Sequence, residues 1–172
     1  EFNYLGGKIK KIGNKYVKKY LSISEWNKIK NSYCEIKNIK QIPCMNFSKI
    51  KEISYENIKG EILGTSKKIT KNHKNQMIDF LKKMNHFGYV HRDLNCSNII
   101  ISEESLFVID WDFVEKQNCN ILESYDLTGK GLPSPRKTNC CHIFRKLLIK
   151  NMDSVAERLN ITKNDFFKKI YL

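Results

Sequence analysis

Residues 89–113 of the chain read YVHRDLNCSNIIISEESLFVIDWDF, which places a polar cluster beside two short apolar runs. The runs IIIS and LFVID have the length of strands, and the polar turn EES joins them, so this stretch predicts a β-hairpin. Polar groups at the ends of buried strands need partners, and the sequence therefore favours a site built on a rigid hairpin. The cluster comprises His91, Arg92, Asp93, Asn98, Asp110 and Asp112.

The composition is that of a globular protein. The chain has 172 residues, 41% hydrophobic and 28% charged, which is enough for one compact domain or two small lobes. No apolar run approaches the roughly 18 residues of a membrane span. Six cysteines occur without a C-x-x-C pair, so we expect reduced thiols in a cytoplasmic protein and no zinc site.

The formal net charge of +13 raises the question of a nucleic-acid partner. Most of the basic residues are lysines, and they are spread along the chain instead of forming a block. This pattern favours a solvated basic surface, with an anionic partner as the alternative.

Periodicity predicts the elements on either side of the hairpin. Before the central hairpin they are a hairpin turning at Gly13-Asn14, a helix over 22–38 with Ser24 as N-cap, and extended pieces in 48–63 ending at Gly60. A polar stretch over 64–75 and a helix over 76–87 closed by Gly88 follow. After the central hairpin come an irregular segment over 127–136 and helices over 141–152, 153–159 and 162–172, the last capped by Thr162.

Asp93, Asn98 and Asp110 carry the chemistry of the predicted hairpin. Asp93 and Asn98 share one loop, and Asp110 ends the strand that returns to the same edge. Asparagine and aspartate supply the hard oxygen ligands that suit Mg²⁺, which also binds substrate phosphates. Asp93 is then left to orient a hydroxyl nucleophile or to accept its proton. The constellation fits phosphoryl transfer, in which catalysis is mostly positioning and charge neutralisation.

The stretch HRDLNCSN matches the protein-kinase catalytic loop, H-R-D-x-x-x-x-N, at every specified position. VIDWD resembles the strand that ends in the aspartate of D-F-G, YENIKGEIL resembles a kinase hinge, and GNKYVKKYL resembles the strand that carries the ATP-binding lysine. The likeness runs from about residue 5 to residue 114. The chain thus resembles the protein-kinase-like superfamily, above all its small bacterial and archaeal Ser/Thr kinases.

The resemblance implies an α+β, bilobal kinase-like fold of minimal size. Residues 1–64 would form an N-lobe of antiparallel sheet with one helix, and residues 65–172 a mainly helical C-lobe. ATP would bind between them with Mg²⁺ or Mn²⁺.

The resemblance also implies roles for individual residues. Asp93 would be the catalytic base, and Asn98 and Asp110 the metal ligands. Lys19, or alternatively Lys18, would contact the α- and β-phosphates. The lysine would pair with a helix glutamate, for which Glu25 is favoured and Glu35 is the alternative. The remaining nucleotide contacts would come from the backbone at Gly6, Gly7, Ile58, Lys59 and Gly60.

Three features depart from the protein-kinase pattern. Gly6-Gly7 stands where a G-x-G-x-x-G loop is usual, Asn95 replaces a lysine, and Trp111-Asp112 replaces Phe-Gly. The sequence IDWD is closer to the aminoglycoside and lipopolysaccharide-core sugar kinases, whereas Arg92 is typical of protein kinases. In many of these an arginine there pairs with a phosphorylated residue, for which the candidates are Ser124, Tyr125, Thr128 and Ser134. Asp112 itself could be a third acidic ligand, a cap or a solvent-facing residue.

The expected function is ATP-dependent transfer of the γ-phosphate to a hydroxyl, foremost to Ser/Thr of a protein or of the chain itself. A small-molecule or sugar kinase of the same fold is the main rival. A nucleotide-binding pseudokinase and a nucleic-acid-binding module are further alternatives. The partners implied are ATP and a protein substrate, with neither a nucleic acid nor a membrane span expected.

Overall fold

The computed structural model of the protein describes residues 9–133 and 155–167, and it shows an α+β architecture with antiparallel strands. Gly6, Gly7 and the predicted helix over 141–152 lie outside the described residues. The strands are β1 (Ile9–Ile12), β2 (Lys15–Lys19), β3 (Met45–Asn46), β4 (Glu52–Glu56), β5 (Glu61–Ile62), β6 (Tyr89–Val90), β7 (Ile99–Ile101), β8 (Leu106–Val108) and β9 (Glu115–Lys116). The helices are α1 (Ile23–Ile36), α2 (Lys71–His86), α3 (Tyr125–Thr128) and α4 (Val155–Leu159).

The first sheet has four strands in the order β1-β2-β4-β3, and every neighbouring pair is antiparallel. The predicted hairpin is confirmed: Ile12 pairs with Lys15 across a two-residue turn in which Gly13 has a φ of 60°. This left-handed conformation costs glycine little, which explains the residue at the turn. The sheet places β2, which carries Lys18 and Lys19, next to β4.

Helix α1 follows β2 directly and packs against the first sheet. Ser22 is its N-cap, because the Ser22 hydroxyl accepts hydrogen bonds from the backbone N–H groups of Ser24 and Glu25. The prediction of Ser24 as the cap was therefore wrong. Trp26, buried on the inner face of α1, donates its indole N–H to the Glu52 carbonyl at 2.9 Å and so ties the helix to β4.

The second sheet contains the hairpin that the sequence predicted. β7 and β8 pair from Ile99↔Val108 to Ile101↔Leu106, and β5 adds to the free side of β7. Residues 61–62 thus pair with the second sheet, so the change of sheet lies between Glu56 and Glu61, a few residues before the predicted lobe boundary at 64. That boundary stays a prediction.

Helix α2 begins at Lys71, five residues before the predicted start at residue 76. Thr70 caps it in a capping box with His73: the His73 Nδ1 accepts from the Thr70 backbone N–H at 3.0 Å. His73 is fully buried and its Nε2 lies 2.9 Å from the Ser102 carbonyl, so the first turn is fixed by the second sheet. Gly88 has a φ of 72° beyond the last turn, as the sequence predicted.

The remaining described elements pack beside α2. Strands β6 and β9 form a two-stranded antiparallel sheet; β6 ends just before His91, and β9 begins three residues after Asp112. The predicted helix over 153–159 appears as α4, and Thr162 opens the 3₁₀ turn Lys163–Phe166 in a capping box with Asp165. None of the helices in the described ranges has the length and apolar character needed to cross a membrane.

Candidate active site

The loop that precedes β7 is anchored from below by a buried carboxylate. Asp126 on α3 accepts the backbone N–H of His91 at its Oδ2 and that of Arg92 at its Oδ1, both at 2.8 Å. Arg92 adopts a φ of 70°, a conformation that non-glycine residues rarely take without support. The two bonds to Asp126 provide that support, so they fix the direction in which the chain enters the loop.

Burial raises the pKa of Asp126 to about 6, although the two backbone N–H groups and Arg92 oppose the shift. The sequence did not point to Asp126 as a support of the loop, because Asp126 lies 35 residues beyond His91 and shares no local motif with it. Only the three-dimensional structure brings them together.

His91 is the scaffold of the loop. The Asp93 N–H donates to its Nδ1 at 3.2 Å, so the Nε2 carries the proton and donates to the Ile109 carbonyl at 3.0 Å. The ring packs edge-on against Trp111, with 4.7 Å between centroids. Burial lowers the pKa of His91 to about 4, outweighing the nearby Asp110 charge and the Ile109 bond, which favour the proton. His91 is therefore neutral at pH 7 and joins the loop to the end of β8.

Asp93 and Asn98 are joined within the loop. The Asn98 Nδ2 donates to the Asp93 carbonyl at 2.9 Å and to its Oδ2 at 3.1 Å. Asn95 reaches the same residue, with its Nδ2 3.1 Å from the Asp93 carbonyl and 3.4 Å from Oδ1. Two amides thus orient one buried carboxylate.

Asp110 lies beside this loop because a backbone hydrogen bond joins its neighbour Ile109 to Asn98. The Ile109 N–H donates to the Asn98 carbonyl at 2.9 Å, which sets the end of β8 beside Asn98. Asp110 itself has a φ of 63°, a second uncommon conformation at this edge. Backbone strain of this kind clusters at functional sites.

Lys18, and not Lys19, is the lysine that faces the aspartates. Its Nζ lies 3.1 Å from Asp110 Oδ1 and 2.5 Å from Asp112 Oδ2. Lys19 points to the other side of the sheet, where its side chain is 66% exposed and pairs with Glu52 at 3.2 Å. Successive side chains of a strand alternate between faces, so only one of two adjacent lysines can enter the cleft. The geometry thus favours the alternative, Lys18, that the sequence left open.

Neither helix glutamate pairs with Lys18. Glu35 lies on the outer side of α1, where it pairs with Lys116 at 3.4 Å. Glu25 lies in the first turn of α1 and forms no ion pair within the described ranges. Asp112 holds the lysine instead. Burial alone would lower the pKa of Lys18, but the charges of Asp110 and Asp112 together outweigh burial and raise it, so the lysine is a cation.

A cavity of about 180 Å³ opens between the first sheet and the residues around Asn98 and Asp110. Its lining unites three of the site residues with apolar side chains: Ile9, Lys18, Tyr20, Pro43, Met45, Ile53, Tyr55, Asn98, Ile109, Asp110 and Trp111. This is smaller than the roughly 300–1,000 Å³ of ordinary ligand pockets, so a nucleotide would require the sheet and loop to move apart. A larger cavity, of about 570 Å³, lies elsewhere, between α2 and the β7–β8 turn, and contains none of the predicted site residues.

The predicted hinge residues stand apart from the small cavity. Lys59 and Gly60 line a separate cavity beside the β7–β8 turn, and Ile58 lines neither. A Cβ built on Gly60 would lie 2.5 Å from the Ile101 carbonyl oxygen, so the glycine lets the chain pass close to β7. The structure therefore gives Gly60 a packing role and does not bring these residues to the aspartates.

The donor set suits a hard divalent cation. The Asn98 Nδ2 donates to Asp93, and within the described ranges the Asn98 Oδ1 accepts no hydrogen bond. That oxygen and the Asp110 carboxylate belong to residues on the same cavity. The described residues contain no cluster of three or more His, Cys, Asp or Glu side chains that could hold a metal ion, so the remaining ligands of a Mg²⁺ ion would be waters and phosphate oxygens, as is common for this ion. The residues present fit a metal-bound nucleotide.

Comparison with known families bears on the same residues. The model of the RIO domain matches residues 36–125, just over half of the 172-residue chain, and includes Asp93, Asn98, Asp110 and Asp112. No curated protein matches the chain. The RIO domain is an atypical protein-kinase-like family with ATP-dependent chemistry, of phosphotransfer or ATPase type, that generally uses a divalent metal. The kinase-like α+β fold is thereby confirmed, and the chain belongs to the RIO domain family.

Proposed function

We propose that this protein transfers the γ-phosphate of ATP to a Ser or Thr hydroxyl of a protein, its own chain included. The observation that carries the proposal is that Lys18, Asn98 and Asp110 line one cavity. The Asp93 carboxylate lies next to them, because it accepts a hydrogen bond from the Asn98 Nδ2. A cation, two metal-ligating side chains and a carboxylate base are the parts that phosphoryl transfer requires.

The nucleotide side of the site would be held by three residues. Lys18 is buried and cationic, and its ammonium would pair with phosphate oxygens once the lobes open around ATP. Asn98 and Asp110 would hold Mg²⁺ or Mn²⁺ through their side-chain oxygens. A divalent ion bound there would neutralise negative charge on the phosphates.

On the acceptor side, Asp93 is the residue able to take a proton. The hydroxyl oxygen forms the new bond to the γ-phosphorus while the bond to the β-phosphate oxygen breaks, so ADP leaves and the hydroxyl proton passes to Asp93. Asn95 and Asn98 hold the carboxylate in one orientation for this step. Such positioning supplies much of the rate in phosphoryl transfer.

The contacts of Arg92 support a protein substrate. Its guanidinium donates to the Pro133 carbonyl and lies 3.6 Å from Glu115, so it links the catalytic loop to the segment that follows the site. The resemblance to protein kinases gives an arginine here the role of binding a phosphorylated residue. Of the candidate acceptors in the described ranges, Ser124 and Tyr125 are buried, whereas Thr128 is partly exposed.

A small-molecule kinase is the second candidate, and the contacts of Asn95 favour it. In protein Ser/Thr kinases a lysine usually stands at this position, whereas here a neutral amide lies 3.4 Å from the Asp93 carboxylate. IDWD, the sequence around Asp110, supports the same alternative.

The test is transfer of label from γ-labelled ATP with Mg²⁺ to the chain itself, to a generic protein acceptor and to a panel of sugars and aminoglycosides. Asp93→Asn and Asp110→Asn would run beside the native chain, with Asp79→Asn on α2 as a matched control that lies outside the small cavity. We expect label on protein Ser or Thr that is lost in the first two variants and kept in the third. Label on a small molecule alone would favour the second candidate, and bound nucleotide without any transfer would favour a pseudokinase.

A further inference from the structure

The partner of Lys18 is an aspartate that follows the metal-ligand strand. The Lys18 Nζ is 2.5 Å from Asp112 Oδ2, and both side chains are largely buried, with exposures of 8% and 11%. A charge-assisted bond between two groups removed from water is stronger than a surface ion pair. The closest contact of the lysine is therefore Asp112 and not Asp110.

Tyr20 holds the other oxygen of the same carboxylate. It lies two residues after Lys18 and on the same face of the chain, and its hydroxyl donates to Asp112 Oδ1 at 2.8 Å. Both oxygens of Asp112 are thus bonded to side chains that extend from β2 and the residue after it. The Asp112 carboxylate is held in one orientation because Lys18 and Tyr20 each donate to one of its two oxygens.

Asp110 is placed differently. Its side chain is 28% exposed and it lines the cavity together with Asn98, whereas Asp112 does not line the cavity. Asp110 is therefore open to a ligand in the cavity, and Asp112 is set back to hold the lysine. The two carboxylates share Lys18 but face different surroundings.

We propose that Asp112, held by Tyr20, is the residue that positions Lys18 for the nucleotide phosphates, in the place that the resemblance to protein kinases gives to a helix glutamate. This inference rests on the proposed phosphotransfer function. It assigns Asp112 a positioning role only, and it separates that role from metal binding, which remains with Asn98 and Asp110.

The variants that test the proposal are Asp112→Asn and Tyr20→Phe, which remove one charge and one hydroxyl with little change of shape. Asp79→Asn and Tyr16→Phe are matched controls outside the Lys18 cluster. We expect Asp112→Asn to raise the ATP KM about tenfold with a smaller change in kcat, because the variant loses the charge of a hydrogen-bonded ion pair; a tenfold change corresponds to about 1.4 kcal/mol. Tyr20→Phe should raise the ATP KM about two- to fivefold, since it loosens Asp112 without removing the charge.

Two kinetic results would overturn the proposal. If Asp112→Asn raised the Mg²⁺ concentration needed for half-maximal rate and left the ATP KM unchanged, Asp112 would be a metal ligand. If Glu25→Gln and not Asp112→Asn raised the ATP KM, the helix glutamate would be the partner of Lys18.

A second readout is independent of catalysis. Acetylation of Lys18 by dilute acetic anhydride, followed by mass spectrometry of peptides, reports how firmly the ammonium is held in the ligand-free protein. We expect Lys18 to react several-fold faster in Asp112→Asn and Tyr20→Phe than in the native chain, with Lys19 unchanged as an internal reference. Equal rates in all chains would contradict the positioning role, whereas a native chain that neither binds ATP nor transfers phosphate would contradict the proposed function alone.

Discussion

Lys18 and Lys19 occupy adjacent positions in β2 and lie on opposite faces of the first sheet. The sequence narrowed the expected phosphate-binding lysine to these two, with Lys19 named first and Lys18 as the alternative. It could not decide between them, because they are adjacent in one strand and lysine is common throughout the chain. The decision comes from register: Lys18 pairs with the buried Ile53 on β4, and Lys19 pairs with Glu52 on the exposed face. One residue of register separates a lysine that faces Asp110 and Asp112 from a lysine on the surface.

The exchange Lys18→Met should lower kcat/KM for ATP about 100-fold or more, since it removes a buried positive charge aimed at the phosphates. Lys19→Met is the matched variant, and we expect its kcat/KM to stay within about twofold of the native value because the side chain faces solvent. Steady-state kinetics with varied ATP would measure both. A greater loss in Lys19→Met than in Lys18→Met would refute this assignment.

His91 and Asp126 give the loop two opposite responses to pH. The pKa of His91 is lowered from 6.5 to about 4 in the folded chain, so its contribution to stability falls as the pH drops from 6.5 towards 4. The pKa of Asp126 is raised from 3.8 to about 6, so its contribution falls as the pH rises from 3.8 to 6. Between about pH 4 and 6 the two effects oppose each other.

Asp126→Asn should expose the response of His91. At pH 7 the variant loses one of two acceptors for backbone N–H groups, which should lower the free energy of unfolding by about 1–3 kcal/mol. Between pH 6 and 4 its free energy of unfolding should fall more steeply with acidification than that of the native chain, by up to about 1.4 kcal/mol per pH unit. Urea unfolding at a series of pH values measures both slopes, and parallel slopes would rule out titration of Asp126 in this window.

At the scale of the elements, the hairpin β7–β8 was predictable and the start of α2 was not. Two apolar runs of strand length around a short polar turn specify a hairpin locally. The first turn of α2 reads KNHKN and carries no apolar stripe, so periodicity could not detect it. This turn is fixed by Thr70 and by the buried His73, whose ring lies 2.9 Å from the carbonyl of Ser102, the residue after β7. No local pattern contains that contact.

Gly60→Ala tests how β5 is held against β7. The new Cβ would meet the Ile101 carbonyl oxygen at 2.5 Å and the Ile100 side chain at 2.7 Å, so the strands must separate. We expect the free energy of unfolding to fall by about 1–3 kcal/mol, as overpacking usually costs.

Gly64→Ala provides the control for that exchange. Its Cβ would lie 3.4 Å from Cys96 Cβ, an ordinary contact, so a change below about 1 kcal/mol is expected. Thermal or urea unfolding of the two variants would show the difference. If both variants unfolded like the native chain, the close packing of Gly60 on β7 would be wrong.

For the whole molecule, the protein-kinase-like superfamily and the fold class followed from the sequence, because the HRDLNCSN loop and Asp110, which follows the second hairpin strand, form a motif of fixed spacing. The RIO domain family within that superfamily was identified only by comparison. The connections between distant parts did not follow. Asp126 supports the loop from 35 residues away, and Tyr20 and Lys18 reach Asp112 across more than ninety residues. Such contacts depend on how the two sheets are placed on each other, which spacing within a motif does not determine.

The central claim is that the cavity between Lys18, Asn98 and Asp110 binds ATP with a divalent metal. The most direct measurement is a calorimetric titration of the native chain with MgATP, repeated with Asp110→Asn and with Asp79→Asn. The account predicts one saturable site in the native chain and in Asp79→Asn, with a Kd in the range of about 1 μM to 1 mM that is usual for enzyme substrates, and at least about tenfold weaker binding in Asp110→Asn. A native chain without saturable binding, or an Asp110→Asn chain that binds MgATP as tightly as the native one, would contradict it.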